Sequence, residues 1–203
     1  MPLSRKYKIF FVHIPRCAGT SVYEALDMDY CRHYKCKFHY REHHILWKKY
    51  NKFSIVRNPY TRLVSVYNYI KLDESYWHSV TGNALDGTHK DYNYCNNHTF
   101  KETITELYNN FLNGDLSGDE WQKQYPFIYD SNGNLMVDDI IKFENLPDSF
   151  YNIIKRYGIN NVELPRKNSS GTGSNFMDYY DRKTKEMVRE IYREDFNLFD
   201  YNF

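Results

Sequence analysis

The clearest feature near the start of the chain is an unbroken apolar run from Ile9 to Val12. A short run of this kind reads as a parallel strand buried on both faces. Pro15 cannot continue a central strand. The small residues Ala18-Gly19-Thr20-Ser21 then form a turn, and Val22 to Leu26 read as the first turns of a helix. The same order recurs at Phe53 to Val56, a second apolar strand closed by Pro59. Thr61 is the expected N-cap of the next helix, which runs to about Leu72 with Leu63, Val66, Tyr67 and Ile70 on one side.

Farther along, Asp73 to Asn97 is polar and aperiodic, the pattern of a long loop. Thr99 followed three residues later by Glu102 predicts a capping box and a helix to Phe111. Asn113 to Tyr125 reads as a second polar loop carrying Trp121 and Tyr125. Phe127–Tyr129 and Leu135–Val137 flank Asp130-Ser131-Asn132-Gly133-Asn134, a hairpin signal. Ile140 to Phe143 reads as a strand, and Leu146 to Tyr157 as a helix with Gly158 at C′. A basic Ser/Gly-rich loop spans Arg166 to Ser174. Arg182 to Asp195 is a charged amphipathic helix with Met187, Val188, Ile191 and Tyr192 inward. Strands alternating with helices predict an α/β fold with a mainly parallel sheet. The 203 residues suffice for a full core, and neither a repeat nor a second domain is expected.

Composition narrows the picture little. A net charge of +1 gives no global signal for nucleic acid or membrane. No apolar run approaches the ~18 to 20 residues that span a bilayer. The first strand begins by about Lys8, which predicts a chain without a signal peptide and a cytoplasmic location. The cysteines are Cys17, Cys31, Cys36 and Cys95. Cys31, His33, Cys36 and His39 lie close in sequence but fit no common zinc spacing, so reduced or packed residues are expected and no metal. A Cys31–Cys36 disulfide is compatible only with an oxidising compartment. One local bias stands out: from Arg32 to Lys52 there are seven Lys or Arg against the single Glu42, interleaved with Tyr34, Phe38, Tyr40, Trp47 and Tyr50. Such a stretch is either a solvated face or a rim that steers an anion.

The chemistry lies at the strand ends. A strand, tight loop and helix start bring unpaired backbone N–H groups to one spot, to which Arg16 adds charge and Thr20 and Ser21 add hydroxyls. This is an anion cradle but not the usual NTPase loop, because Gly-x-x-x-x-Gly-Lys-Ser/Thr is missing. A turn capped by Thr20 or Ser21, with Arg16 in solvent, is the plain alternative. The second strand end offers Arg57, with Ser65 two turns into the helix. Ligands of open α/β sheets bind at the carboxyl ends of strands. Two such ends suggest a ligand with two separated anionic groups.

The pair HIPRCAGTS and FSIVRNPYTRLVSVYNY resembles the carbohydrate-type sulfotransferases, of the heparan-sulfate-2-O kind, that use 3′-phosphoadenosine 5′-phosphosulfate (PAPS). FIYDSNGNLMVDDIIKFENL, LPRKNS and the tail from Tyr179 to Phe203 are similar to later segments of that family, in the same order. The resemblance implies a P-loop-NTPase-like three-layer fold, with a central mainly parallel sheet flanked by helices, forming one domain over residues 1–203. It implies that Arg16, Cys17, Ala18, Gly19, Thr20 and Ser21 bind the 5′-phosphosulfate and that Arg57 and Ser65 bind the 3′-phosphate. Lys167 and Ser169 would close over the nucleotide. The family's first loop normally has Lys where this chain has Arg16, and a planar guanidinium is not equivalent to a compact ammonium.

The reaction implied is sulfuryl transfer to a hydroxyl of an acceptor, a carbohydrate, releasing adenosine 3′,5′-bisphosphate (PAP), without a metal. Related enzymes place a histidine before the second strand, which makes His43, ahead of His44, the expected general base, with Glu24 and Glu42 as substitutes. On this reading Asp73 to Asn97 is an acceptor-side lid, and Trp121 and Tyr125 either stack on a sugar or plug the core. A nucleotide or small-molecule kinase, or a PAP(S)-binding homologue without turnover, is the alternative. Magnesium-dependent ATP turnover would mark the kinase.

Overall fold

The computed structural model describes residues 3–29, 32–73, 89–116, 120–165 and 175–202. In chain order the elements are β1 (Leu3–Ser4), β2 (Ile9–Val12), α1 (Gly19–Ala25), α2 (Cys36–Lys49), β3 (Asn51–Val56), α3 (Pro59–Ile70), α4 (Tyr92–Asn97), α5 (Phe100–Leu112), α6 (Tyr125–Ile128), β4 (Asp139–Lys142), α7 (Asp148–Arg156), α8 (Arg182–Ile191) and α9 (Arg193–Leu198). Short 3₁₀ turns occupy Phe143–Asn145 and Phe176–Tyr179. The chain divides into two compact units. One holds Met1–Asn58, Lys123–Asn168 and Asn197–Phe203, and the other holds Pro59–Gln122 and Ser169–Phe196.

The first unit is α/β. Its four strands lie in the order β1-β2-β3-β4, with β2, β3 and β4 parallel and β1 antiparallel at the edge. Every residue of β2 is buried, as its unbroken apolar run requires. Side chains alternate between the faces. Phe10 points to one face and packs against Trp47 of α2 at 5.0 Å between ring centroids. Phe11, paired in register with Phe53, points to the other face. There Phe11 meets Tyr23 of α1 and Phe53 meets Phe150 of α7. The sheet is therefore covered on both sides. The two-residue strand β1 escapes sequence reasoning because it is too short to show a period.

The second unit is helical. The predicted capping box is present at Thr99, whose hydroxyl accepts from the Glu102 N–H while Glu102 accepts from the Thr99 N–H. An unforeseen capping box between Asp181 and Thr184 starts α8. Phe100 packs edge-on against Tyr67, Tyr179 and Tyr180. Tyr108 of α5 donates to Glu190 of α8 at 2.7 Å.

Several boundaries differ from expectation. Helix α1 starts at Gly19 rather than Val22. Helix α3 starts at Pro59, which makes Thr61 an interior residue and not the cap; proline suits a first turn because its missing N–H has no partner there to lose. Phe127 and Ile128 belong to the single turn α6, with Pro126 in its first turn, and not to a strand. The hairpin reduces to one bridge, Tyr129 to Leu135. Its turn is real, since the Asp130 carboxylate accepts from the N–H groups of Asn132 and Asn134. The last helix breaks at Tyr192, whose buried hydroxyl donates to the Trp121 carbonyl at 2.6 Å. Gly158 does take the C′ position with φ +77°, and Ile159 N–H bonds Ile154 C=O, a Schellman end.

Candidate active site

The loop after β2 is built on strained backbone. Arg16 and Ala18, neither of them glycine, have φ of 65° and 59°, while Cys17 between them does not. Non-glycine residues rarely sit in the left-handed region, and such conformers cluster where a site requires them. The Cys17 N–H closes a turn on the Ile14 carbonyl at 3.2 Å, and alternation of this kind can turn the N–H groups that follow toward one concavity, the arrangement that binds anions. The first helical bond of α1 runs from Val22 N–H to Ala18 C=O, so the amides before it have no helical acceptor. Glycine is required at 19 for a different reason. A Cβ there would lie 1.9 Å from Nε2 of His13, whose ring covers the loop's second half.

The two strand ends meet. A guanidinium nitrogen of Arg57 donates to the Arg16 carbonyl at 3.2 Å, and the same guanidinium lies over the Phe143 ring at 4.2 Å. Gln124 ties them together from behind. Its side-chain oxygen accepts from the Arg57 N–H at 2.9 Å and from the Cys17 thiol at 3.6 Å, while its Nε2 donates to the Arg57 carbonyl at 2.8 Å. Gln124 is fully buried, so these bonds replace water it has lost. Beyond β3, Asn58 N–H donates to Glu144 at 2.8 Å. The Tyr201 hydroxyl reaches both Glu144 and the Val56 carbonyl. Burial, then the neighbouring Glu144 carboxylate, pushes the Tyr201 phenol well up, so it serves as a donor.

Of the predicted cofactor residues, Arg16, Cys17, Ala18, Gly19, Thr20, Ser21 and Arg57 all fall in the first unit, around this junction. Ser65 is a buried residue of α3, in the second unit. Lys167 and Ser169 lie outside the described residues, as do Cys31 and most of the expected lid. Within the second unit, Arg62 is completely buried, and its guanidinium donates to the carbonyls of Glu120 and Gln122. It is part of the fold. Trp121 is buried too, with its indole N–H on Asp91, and so it plugs its own unit.

The histidines of α2 separate by environment. His39 is in the core against Phe10 and Trp47, neither ring nitrogen meets a hydrogen-bond partner, and burial lowers its pKa to about 4. His44 is exposed. His43 is half-buried and has non-helical φ and ψ of −136° and 36°, which kinks α2 at that residue. Glu24 and Glu42 are exposed, and Glu42 accepts from Arg41 at 2.8 Å. Cys17, Cys36 and Cys95 are buried free thiols. No metal-holding cluster exists among the described residues, and no helix among them is long and apolar enough to cross a membrane.

Sequence reasoning missed His13, Gln124, Phe143 and Tyr201. His13 had a signal, since it opens the loop motif; a glutamine in a polar loop has none.

A family model for sulfotransferases matches residues 2–202, nearly the whole chain. No curated protein and no solved structure matches. The α/β unit with its mostly parallel sheet agrees with that family's fold, and the chain belongs to the sulfotransferase family.

Proposed function

We propose that the chain is a single sulfotransferase domain that moves a sulfuryl group from PAPS to a hydroxyl of a carbohydrate acceptor, without a metal. The observation that carries this reading is the junction of two strand ends, where the strained loop at Arg16–Ala18 meets Arg57 through the Arg16 carbonyl. A donor with two separated anionic groups needs two such cationic ends. When bound, PAPS supplies the sulfuryl group and, as its sulfur–oxygen bond breaks, a bisphosphate leaving group.

The chain's own groups do the rest. Arg16 and the loop amides offset charge that gathers on the leaving phosphate and on the equatorial oxygens. Arg57 anchors the 3′-phosphate, held in place by Gln124 at its backbone and Phe143 at its guanidinium. Ser65, Lys167 and Ser169 are the further cofactor residues that the family resemblance implies. His43 takes the acceptor proton. Its half-buried ring at a break in α2 supports this choice over the exposed His44. The outer face of α2 bears Lys37, Arg41, Lys48 and Lys49 beside exposed Tyr40, which suits an anionic glycan.

A thermal-shift titration with PAP beside ATP and magnesium tests the donor. A ligand at about 100 times its dissociation constant stabilises by ~2.7 kcal/mol. PAP alone is expected to raise the melting temperature. A rise with ATP and magnesium alone would make the chain a kinase. Arg57→Ala is expected to weaken PAP by about 2 to 4 kcal/mol, read by calorimetry. Unchanged affinity would remove Arg57 from the site.

A further inference from the structure

We propose that Tyr201 is a positioning residue for Arg57: with Gln124 and Glu144 it fixes the peptide units on both sides of that arginine, so that the guanidinium meets a phosphate of the donor in one place. This rests on the donor reading above.

Arg57 stands one residue beyond the sheet. The last register pair of β3 with β4 is Val56 with Lys142, and past it the regular ladder ends. Side chains take over from there. The Val56 carbonyl accepts from the Tyr201 hydroxyl at 3.1 Å. The Arg57 N–H donates to the Gln124 side-chain oxygen at 2.9 Å, and the Arg57 carbonyl accepts from the Gln124 amide nitrogen at 2.8 Å. The Asn58 N–H donates to Oε1 of Glu144 at 2.8 Å, and Oε2 of the same carboxylate lies 2.9 Å from the Tyr201 hydroxyl. These four backbone groups are the whole polar content of the two peptide units that flank Arg57. Three side chains from three separate stretches of the chain hold them.

An arginine gains most from a phosphate when its planar fork is presented in one orientation, because a long side chain otherwise gives up its freedom on binding. The Phe143 ring, 4.2 Å from the guanidinium, fixes the far end of Arg57. The frame around its two peptide units fixes the near end. Tyr201 can anchor that frame because its own segment is tied down. Lys142 donates to the Asp200 carbonyl at 2.8 Å and lies over the Tyr201 ring at 4.8 Å, and the Asn58 side chain donates to the Asn202 carbonyl at 3.3 Å. The phenol is buried and its hydroxyl meets two acceptors, one on the backbone before Arg57 and one on the carboxylate that holds the backbone after it.

Calorimetric titration of the full chain with PAP tests this, with Arg57→Ala as the second arm of a double-mutant cycle. Tyr201→Phe keeps the buried ring and removes only the hydroxyl, and is expected to weaken PAP roughly three- to thirtyfold. In the Arg57→Ala background the same change is expected to shift PAP affinity by less than about twofold, because the group it positions is gone. A merely structural tyrosine would cost the same in both backgrounds. Glu144→Ala removes both oxygens of the frame, whereas Glu144→Gln keeps one for the Asn58 N–H. Glu144→Ala is therefore expected to weaken PAP more than Glu144→Gln.

Failure of the unsubstituted chain to bind PAP overturns the donor reading and this inference with it. Binding by the parent with unchanged affinity in Tyr201→Phe, or with the same loss in both backgrounds, overturns this inference alone. Should Tyr201→Phe not fold, the Glu144 pair decides, and equal PAP affinity in Glu144→Ala and Glu144→Gln overturns it in the same way.

Discussion

Two regions of the first unit carry the residues to which the chemistry points, and they are built in opposite ways. The loop from His13 to Ser21 is defined by its backbone. Two non-glycine residues sit in the left-handed region, one glycine is forced by a ring above it, and a buried glutamine clamps the loop to the next strand end. The helix α2 is defined by its side chains, and its three histidines, close in sequence, end up in core, kink and solvent. A loop whose backbone is over-determined can be read as a site from its form. A helix face cannot, because one step along it turns a residue by about 100° and changes a catalytic candidate into core.

The comparison breaks most readily at His43. General-base catalysis contributes about 10²- to 10⁴-fold in rate. His43→Ala is therefore expected to lower kcat by that much and leave PAP affinity unchanged, while His44→Ala is expected to be nearly silent. The opposite pattern would move the base to the solvent side of the kink, and two silent variants would take the base out of α2.

His39 gives the next largest effect, in stability rather than turnover. Its pKa is lowered in the folded chain, from 6.5 to about 4, chiefly by burial. The unfolded chain therefore binds the extra proton first as pH falls. The stability due to a neutral His39 is complete above about pH 6.5, is lost on going down toward pH 4, and falls no further below that. The size is on the order of 3 kcal/mol. His13, also lowered, works in the same direction. Melting curves from pH 7 to pH 4 should fall less steeply for His39→Leu than for the parent chain. Parallel curves would mean that the His39 ring finds a proton acceptor.

In the loop, Gly19→Ala forces a Cβ against the His13 ring. Overpacking of this kind costs about 1 to 3 kcal/mol. The variant should melt lower and bind PAP poorly, and pairing it with His13→Ala should restore part of the stability. Additive losses in the double variant would show that the two residues do not meet.

How much of this was legible in the sequence follows the same division. Strands β2 and β3 were readable because buried parallel strands leave apolar runs, and the Thr99 box and the Gly158 end because caps use few residue types. The loop was recognisable from its motif, and Arg57 from its place at a strand end. Its strain was not, since nothing about Arg16 or Ala18 announces a positive φ. Gln124 was hidden because a glutamine that completes backbone hydrogen bonds looks like any polar loop residue until the fold buries it. The apolar pair Phe127–Ile128 was too short to separate a strand from one turn of helix. On α2, basic and aromatic residues alternate so densely that no period identifies the buried side.

The smallest expected effect sharpens the contrast from the other end. Glu42 precedes His43 and is a carboxylate within the same helix, so it competes for the role of base. Its carboxylate is 43 % exposed and lies 2.8 Å from Arg41, itself 72 % exposed. Pairs this open contribute about 0 to 1 kcal/mol. Glu42→Gln should change the melting temperature by no more than a few degrees and leave the pH dependence of kcat in place. A profile that loses its rising limb in Glu42→Gln but keeps it in His43→Ala would transfer the proton to Glu42, and would make the kink at His43 a device for aiming its neighbour.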